Sequence, residues 1–251
     1  CDMTTDGGGW TLVAVVSDDS QDTWGGANLH FWDTDTATFG DEETLHEDFK
    51  SPAYHDLNFS DLLFVHAPST VWASYHSVGD GSGDLGEKIA SYEDNHCWSG
   101  GDGFPLSAGT LDPAVQSYCL TSNPDYASTL CQLCDTNLYI NASDGDSACG
   151  ASIADHGYGP GWSSGGNNGC PLDDPAITSL SPYPHGSSSV FDVETNALGF
   201  ANTQGLNTGV PGSGENNMRV FVRKSTCGDG VVDTDSGEEC DDGNTNDLDG
   251  C

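Results

Sequence analysis

Apolar residues in this chain come in short blocks separated by acidic and glycine-rich loops. The block Trp10 to Val16 is almost wholly apolar, which predicts a short strand buried on both faces and too short to cross a membrane. Gly7, Gly8 and Gly9 lead into it, and three glycines in a row permit a tight backbone at positive φ. Asp61-Leu62-Leu63-Phe64-Val65 predicts a second buried strand, and Met218 to Lys224 a closing strand. Two acidic, turn-like stretches lie between the first two strands. Ser17-Asp18-Asp19-Ser20-Gln21-Asp22-Thr23-Trp24 places its side-chain oxygens close enough in sequence to converge on one ion. Asp33 to Glu43 resembles an EF-hand loop only weakly, because its glycine and final acid fall at the wrong offsets.

Charge narrows the partners. Five basic residues face 40 acidic ones, a formal net charge of −35. Such a chain repels nucleic acid and anionic membrane, so neither is expected as a partner. The carboxylates fit two readings, calcium ligands or a solvated surface that keeps the protein soluble, and the solvated surface accounts for most of them. Hydrophobic content of 35% implies a modest core supplemented by cross-links and metal ions.

Ten cysteines among many Gly, Asn, Ser and Asp indicate a secreted, disulfide-stapled protein. The sequence starts at Cys1 with no signal peptide, so a segment upstream is expected to carry the partner of Cys1. Cys131-Gln132-Leu133-Cys134 lacks a second pair at zinc-like spacing, which favours structural disulfides for Cys119, Cys131, Cys134 and Cys149 without settling their pairing. Asn58-Phe59-Ser60 and Asn141-Ala142-Ser143 are sequons where the source glycosylates such sites.

The opening Cys1-Asp2-Met3, then Gly7-Gly8-Gly9-Trp10-Thr11, resembles the start of the fibrinogen-like domain. Thr38-Phe39-Gly40, the run Asp48-Phe49-Lys50-Ser51-Pro52-Ala53-Tyr54-His55-Asp56 and the pair Cys97-Trp98 narrow the resemblance to the intelectins, the X-type lectins. It covers most of residues 1–224, with residues 99–168 matching poorly. The resemblance implies an α+β, loop-rich, fibrinogen-like fold stabilised by calcium and disulfides, occupying residues 1–225. From Cys227 the texture changes. Cys227-Gly228-Asp229-Gly230 and Glu239-Cys240-Asp241-Asp242-Gly243-Asn244 resemble a disulfide repeat of secreted, myxobacterial-type proteins, so residues 226–251 are expected to be the start of a second unit.

The same resemblance implies site residues. Asp18 and Asp22 stand at acidic positions of a structural calcium loop, with Asp19 between them; Asp48 precedes the aromatic-Lys step, Asp192 lies within one residue of another ligand, and Ser17 replaces a family His. In the sugar site, Asp173 keeps a carboxylate where the family has Glu. Pro171 replaces a ligand Asn, His185 replaces a second Glu, and Asp174 stands where a sugar-contacting His would be. A swapped arrangement, with Asp173 and Asp174 on calcium and His185 on sugar hydroxyls, stands beside a lost site or one moved to Asp155, His156, Asn167 and Asn168. Cys97 would pair with Cys170. Tyr183, Phe200, Trp162 and Tyr158 are the aromatics available for stacking on a sugar, each also a candidate for packing. The family's box aromatics fall near Gly199 and Thr208, which leaves the sugar open.

Enzyme motifs are missing. His46-Glu47-Asp48 lacks the second His of HExxH, and no GxSxG occurs. The expectation is therefore a secreted or cell-surface, calcium-dependent lectin that recognises terminal exocyclic vicinal diols without catalysis, with oligomerisation open. The competing expectation is a non-catalytic adhesion or protein-interaction module that keeps structural calcium and binds no sugar.

Overall fold

The structure, a computed structural model, describes residues 1–17, 19, 21, 23–67, 69–92, 103–112, 136–141, 158–163, 177–181 and 216–224. Within them the chain is mixed α+β, with mostly antiparallel strands and little helix. The main sheet has six strands: β1 (Thr11–Ser17), β2 (Phe49–Lys50), β3 (Asp61–His66), β4 (Trp72–Tyr75), β5 (Ala108–Gly109) and β9 (Asn217–Arg223). Their spatial order is β2-β1-β9-β3-β4-β5. A second sheet of three strands, β6 (Leu138–Asn141), β7 (Tyr158–Ser163) and β8 (Ile177–Ser181), runs in the order β6-β7-β8. Two short α-helices, α1 (Ala53–Asp56) and α2 (Leu85–Ala90), and two 3-10 turns, Thr5–Gly7 and Gly26–Phe31, complete the regular elements among the described residues.

The three apolar blocks become adjacent strands in the middle of the main sheet. β9, from near the end of the chain, inserts between β1 and β3 and pairs antiparallel with both. This explains why β1 is apolar at every position from Val13 to Val16, all fully buried: a central strand is covered on both faces. One face carries Ala14, Val16, Leu62, Phe64, Ala73, Tyr75, Met218, Val220 and Val222 into the larger core. The other presents Leu63 and Phe221 against Trp10, with Leu12, Val65 and Trp72 around them. Successive residues point to opposite faces, and the period-2 alternation of β3 and β9 sorts them.

The second sheet packs on the first through aromatic groups. Trp162 is fully buried, sits edge-on to Phe64 at 5.0 Å, and donates its indole N–H to Tyr75 Oη at 2.8 Å. Tyr75 in turn donates to the carbonyl of Thr136 at 2.7 Å. Trp162 is thus a packing residue, not a ring available to a sugar. Gly159 lets β7 approach Trp32 closely, since a Cβ there would lie 2.8 Å from the indole.

Gly7, Gly8 and Gly9 take φ of 81°, 84° and 78°, the left-handed region that the glycine run predicts. A Cβ on Gly8 would stand 2.6 Å from the carbonyl oxygen of Met3, so the turn is closed to larger residues there.

Candidate metal-binding site at the end of the first strand

Two neighbouring features position the loop after β1. The register between β1 and β9 shifts between Leu12 and Ala14, a bulge of the kind that redirects a strand beside a site. Val13 then accepts a hydrogen bond from Ser51 N at 2.9 Å, which draws the segment after β2 against β1. Further along, Trp24 folds back so that its indole N–H donates to Val15 O at 2.8 Å. Trp32 donates to Trp24 O at 3.0 Å, and Tyr54 to Trp32 O at 2.7 Å. This buried relay fixes the return of the acidic loop, with Trp24 and Trp32 ring centroids 4.4 Å apart.

Between these anchors, Asp19 meets Asp48 across 29 residues. Asp48 N donates to Asp19 Oδ2 at 3.2 Å, and Gln21 N donates to Asp19 Oδ1 at 2.8 Å. Ser17 N donates to Asp48 Oδ1 at 2.8 Å, while Ser17 Oγ donates to the carbonyl of His46 at 2.7 Å. Ser17 is fully buried and Asp48 is 6% exposed, with Asp48 Oδ2 wholly out of solvent. The polar atoms gathered here are two carboxylates, a hydroxyl and a backbone carbonyl. All are hard oxygen donors, the class that calcium takes, so the donor set fits that ion. Asp18 and Asp22 flank the cluster in sequence and lie outside the described residues. Among the described residues, no group of three or more His, Cys, Asp or Glu is arranged to hold a metal ion.

Of the remaining site candidates, Asp173, Asp174, His185, Tyr183, Asp192, Phe200, Cys97 and Cys170 all lie outside the described residues, as does the 226–251 segment. The Asp33–Glu43 stretch shows why its acids do not form an EF-hand. Asp35 Oδ1 accepts from Ala37 N at 2.9 Å and Asp41 Oδ1 from Glu43 N at 3.0 Å, so these carboxylates close local turns. Asp33, 3% exposed, accepts from the Thr34 backbone and pairs with His30 at 3.2 Å.

The structure adds an electrostatic knot at the opposite end of β1, which sequence patterning missed. Arg223 and Asp61 form a buried ion pair at 2.7 Å. The same guanidinium donates to Asp6 O at 2.7 Å and Gly8 O at 3.1 Å, and stacks 4.1 Å from the Trp10 ring centroid. His76 reaches Asp6 Oδ2 at 2.7 Å and Ser74 Oγ donates to the same oxygen at 2.6 Å. The hydrogen bond to Asp6 raises the His76 pKa above its ordinary value, outweighing burial. For Asp6, burial pushes upward, but the bonds from His76 and Ser74 prevail and hold its carboxyl below the usual range.

Lys50 is a second buried cation, 1% exposed. Its ammonium donates to Phe31 O at 2.6 Å and to Asp35 O, and lies 4.6 Å from the Tyr54 ring centroid. Burial pushes it down to about 8, with Asp35 and Asp33 opposing. The one signal that could have flagged Arg223 is scarcity: with five Lys and Arg in the chain, a basic residue inside an apolar strand is conspicuous. No protein-family model matches the chain.

Proposed function

We propose that this chain is a secreted, calcium-dependent carbohydrate-binding protein, a non-catalytic lectin with an intelectin-type, fibrinogen-like fold. The observation that carries this reading is the meeting of Asp19 and Asp48 with Ser17 Oγ and the His46 carbonyl. Two acids distant in sequence, Asp48 assigned to structural calcium by the resemblance and Asp19 a member of the acidic loop read as an ion site, come together beside a hydroxyl and a backbone carbonyl. Asp18 and Asp22 complete that ligand set in the proposal.

The sugar site is proposed at Asp173 and Asp174, with His185 hydrogen-bonding hydroxyls and Tyr183 and Phe200 offering aromatic faces. Asp192 joins the structural ligands, and a Cys97–Cys170 disulfide ties the sugar-site segment to the domain. Calcium bound there would supply a centre that exchanges water ligands for two vicinal sugar hydroxyls. The surrounding carboxylates accept the hydroxyl protons and orient the diol. Residues 226–251 begin a second, disulfide-based unit that links or anchors the domain.

A glycan array run in calcium and again in chelator tests the proposal. The expected result is binding to terminal exocyclic diols that vanishes in chelator and in Asp173→Ala. Binding under neither condition, with chelator still lowering the melting temperature, would replace the lectin by an interaction module with structural calcium. No calcium effect on either readout would overturn both.

A further inference from the structure

β9 carries two arginines on one face of the main sheet, and their surroundings differ. Arg223 lies opposite Asp61 of β3 and pairs with it. Arg219 lies opposite Val15 of β1 and Val65 of β3, so both of its cross-strand neighbours are apolar. It is half-buried, and its one hydrogen bond among the described residues runs from Nε to Asn217 Oδ1 at 3.4 Å. The two terminal nitrogens of the guanidinium are left with N–H groups to donate. Burial lowers the Arg219 pKa from its ordinary value, and no nearby acid opposes it. Taking a charge out of water without a partner is costly. In a chain with 40 acids and five Lys and Arg, a cation in this state is the anomaly.

Arg219 lines a groove of about 760 Å³, within the size range of small-molecule sites. Met3, Leu12, Leu45 and Phe221 give the groove its apolar lining. Met3 is 70% exposed, so an occupant would cover apolar surface there. Three carboxylates line the same groove. That of Asp2 is engaged: Oδ1 accepts from Thr4 N at 2.9 Å and Thr5 N at 3.0 Å, and Oδ2 from Thr5 Oγ1 at 2.6 Å. Glu42 and Glu43 are exposed, and their carboxylates make no hydrogen bond or ion pair among the described residues. The guanidinium and these two glutamates thus line one groove with opposite charges and do not meet.

The lining selects a ligand class. An anion would meet Arg219 but be repelled by Glu42, Glu43 and the net charge of −35. A cation would suit the glutamates and be repelled by Arg219. A molecule that carries both charges on an apolar body suits all three. We propose that the groove binds a small apolar zwitterion, an amino acid or dipeptide with free termini. Its carboxylate accepts from the unused N–H groups of Arg219, its ammonium lies toward Glu42 and Glu43, and its side chain rests on Leu12 and Phe221. The site uses none of the residues assigned to calcium or sugar and stands whether or not that reading holds.

The test is amide chemical-shift mapping of the full chain at pH 7, titrated separately with L-phenylalanine and with the dipeptide Leu-Phe. Saturable shifts at Met3, Leu45, Arg219 and Phe221 are expected from at least one of them. Converting that ligand's carboxylate to an amide should weaken binding about tenfold, and acetylating its amine about threefold. Arg219→Gln should bind the free acid about tenfold more weakly than the parent does, and should bind acid and amide alike. The proposal falls if neither probe moves these amides, or if either blocked form binds as tightly as the zwitterion. It also falls if Arg219→Gln keeps the parent's preference for the acid. The blocked ligands on the parent chain decide the question even where Arg219→Gln fails to fold.

Discussion

The two ends of β1 handle negative charge in opposite ways. At its start, Asp6 bonds to His76 and Asp61 pairs with the guanidinium of Arg223, the latter pair buried to 2% on both side chains. At its end, Asp19 and Asp48 are held by backbone N–H groups of Asp48, Gln21 and Ser17. A chain with five Lys and Arg against 40 acids can close only a few such pairs internally. Elsewhere it uses turn and cap hydrogen bonds, as at Asp41, Asp80 and Asp84. At the end of β1, Asp48 is buried and Asp19 half-buried, and among the described residues the bonds to both carboxylates come from backbone N–H groups. One end of the strand is therefore matched by side chains of the chain itself, and the other is where the proposed calcium would add its charge.

The sharpest way to break this comparison is to remove the internal cation. Arg223→Met should cost about 3–5 kcal/mol in urea unfolding, because Asp61 is left buried without its partner and the carbonyls of Asp6 and Gly8 lose their donor. A loss below about 1 kcal/mol would mean that the ion pair is not a structural centre. The effect should be the same with or without calcium.

The other end should respond to the ion instead. With calcium at about a hundred times its dissociation constant, chelation should lower stability by about 2.7 kcal/mol. Asp48→Asn should remove most of that response while leaving the chelated protein little changed. A full chelator response in Asp48→Asn would move the ion elsewhere.

The smallest effect expected is the pH response of the knot, under about 1 kcal/mol for a partly exposed pair. The His76 pKa is raised above its ordinary 6.5, so its contribution is complete below that value and fades as pH rises through the elevated one. The Asp6 pKa is lowered below its ordinary 3.8, so its contribution is present above 3.8 and fades as pH falls through the depressed value. His76→Gln should flatten the alkaline limb of a stability profile and also make the acid limb shallower, because His76 is the largest influence holding the Asp6 pKa down. An unchanged alkaline limb would assign it to other groups.

Much of the main sheet is legible in the order of residues alone. The apolar blocks at Trp10–Val16, Asp61–Val65 and Met218–Lys224 match β1, β3 and β9 within a residue at each end, because an uninterrupted apolar run has to be covered on both faces. The acidic loop after β1 is legible as a possible ion site, and Asp48 enters through the resemblance. Other features are not: the burial of Lys50, the pairing of Arg223 with Asp61 and the apolar cross-strand neighbours of Arg219 have no local pattern.

The physical division is one of range. Steric preference and hydrophobic run length act over a few residues, and they set the left-handed glycines at Gly7 to Gly9 and the identity of the strands. Which carboxylate meets which donor depends on contacts spanning 29 residues between Asp19 and Asp48 and 217 between Arg223 and Asp6. Those pairings exist only once β9 has been placed between β1 and β3. The sequence by itself determined the strands and the excess of charge; the tertiary structure decided where that charge is paired with a side chain of the chain and where it is held by backbone N–H groups.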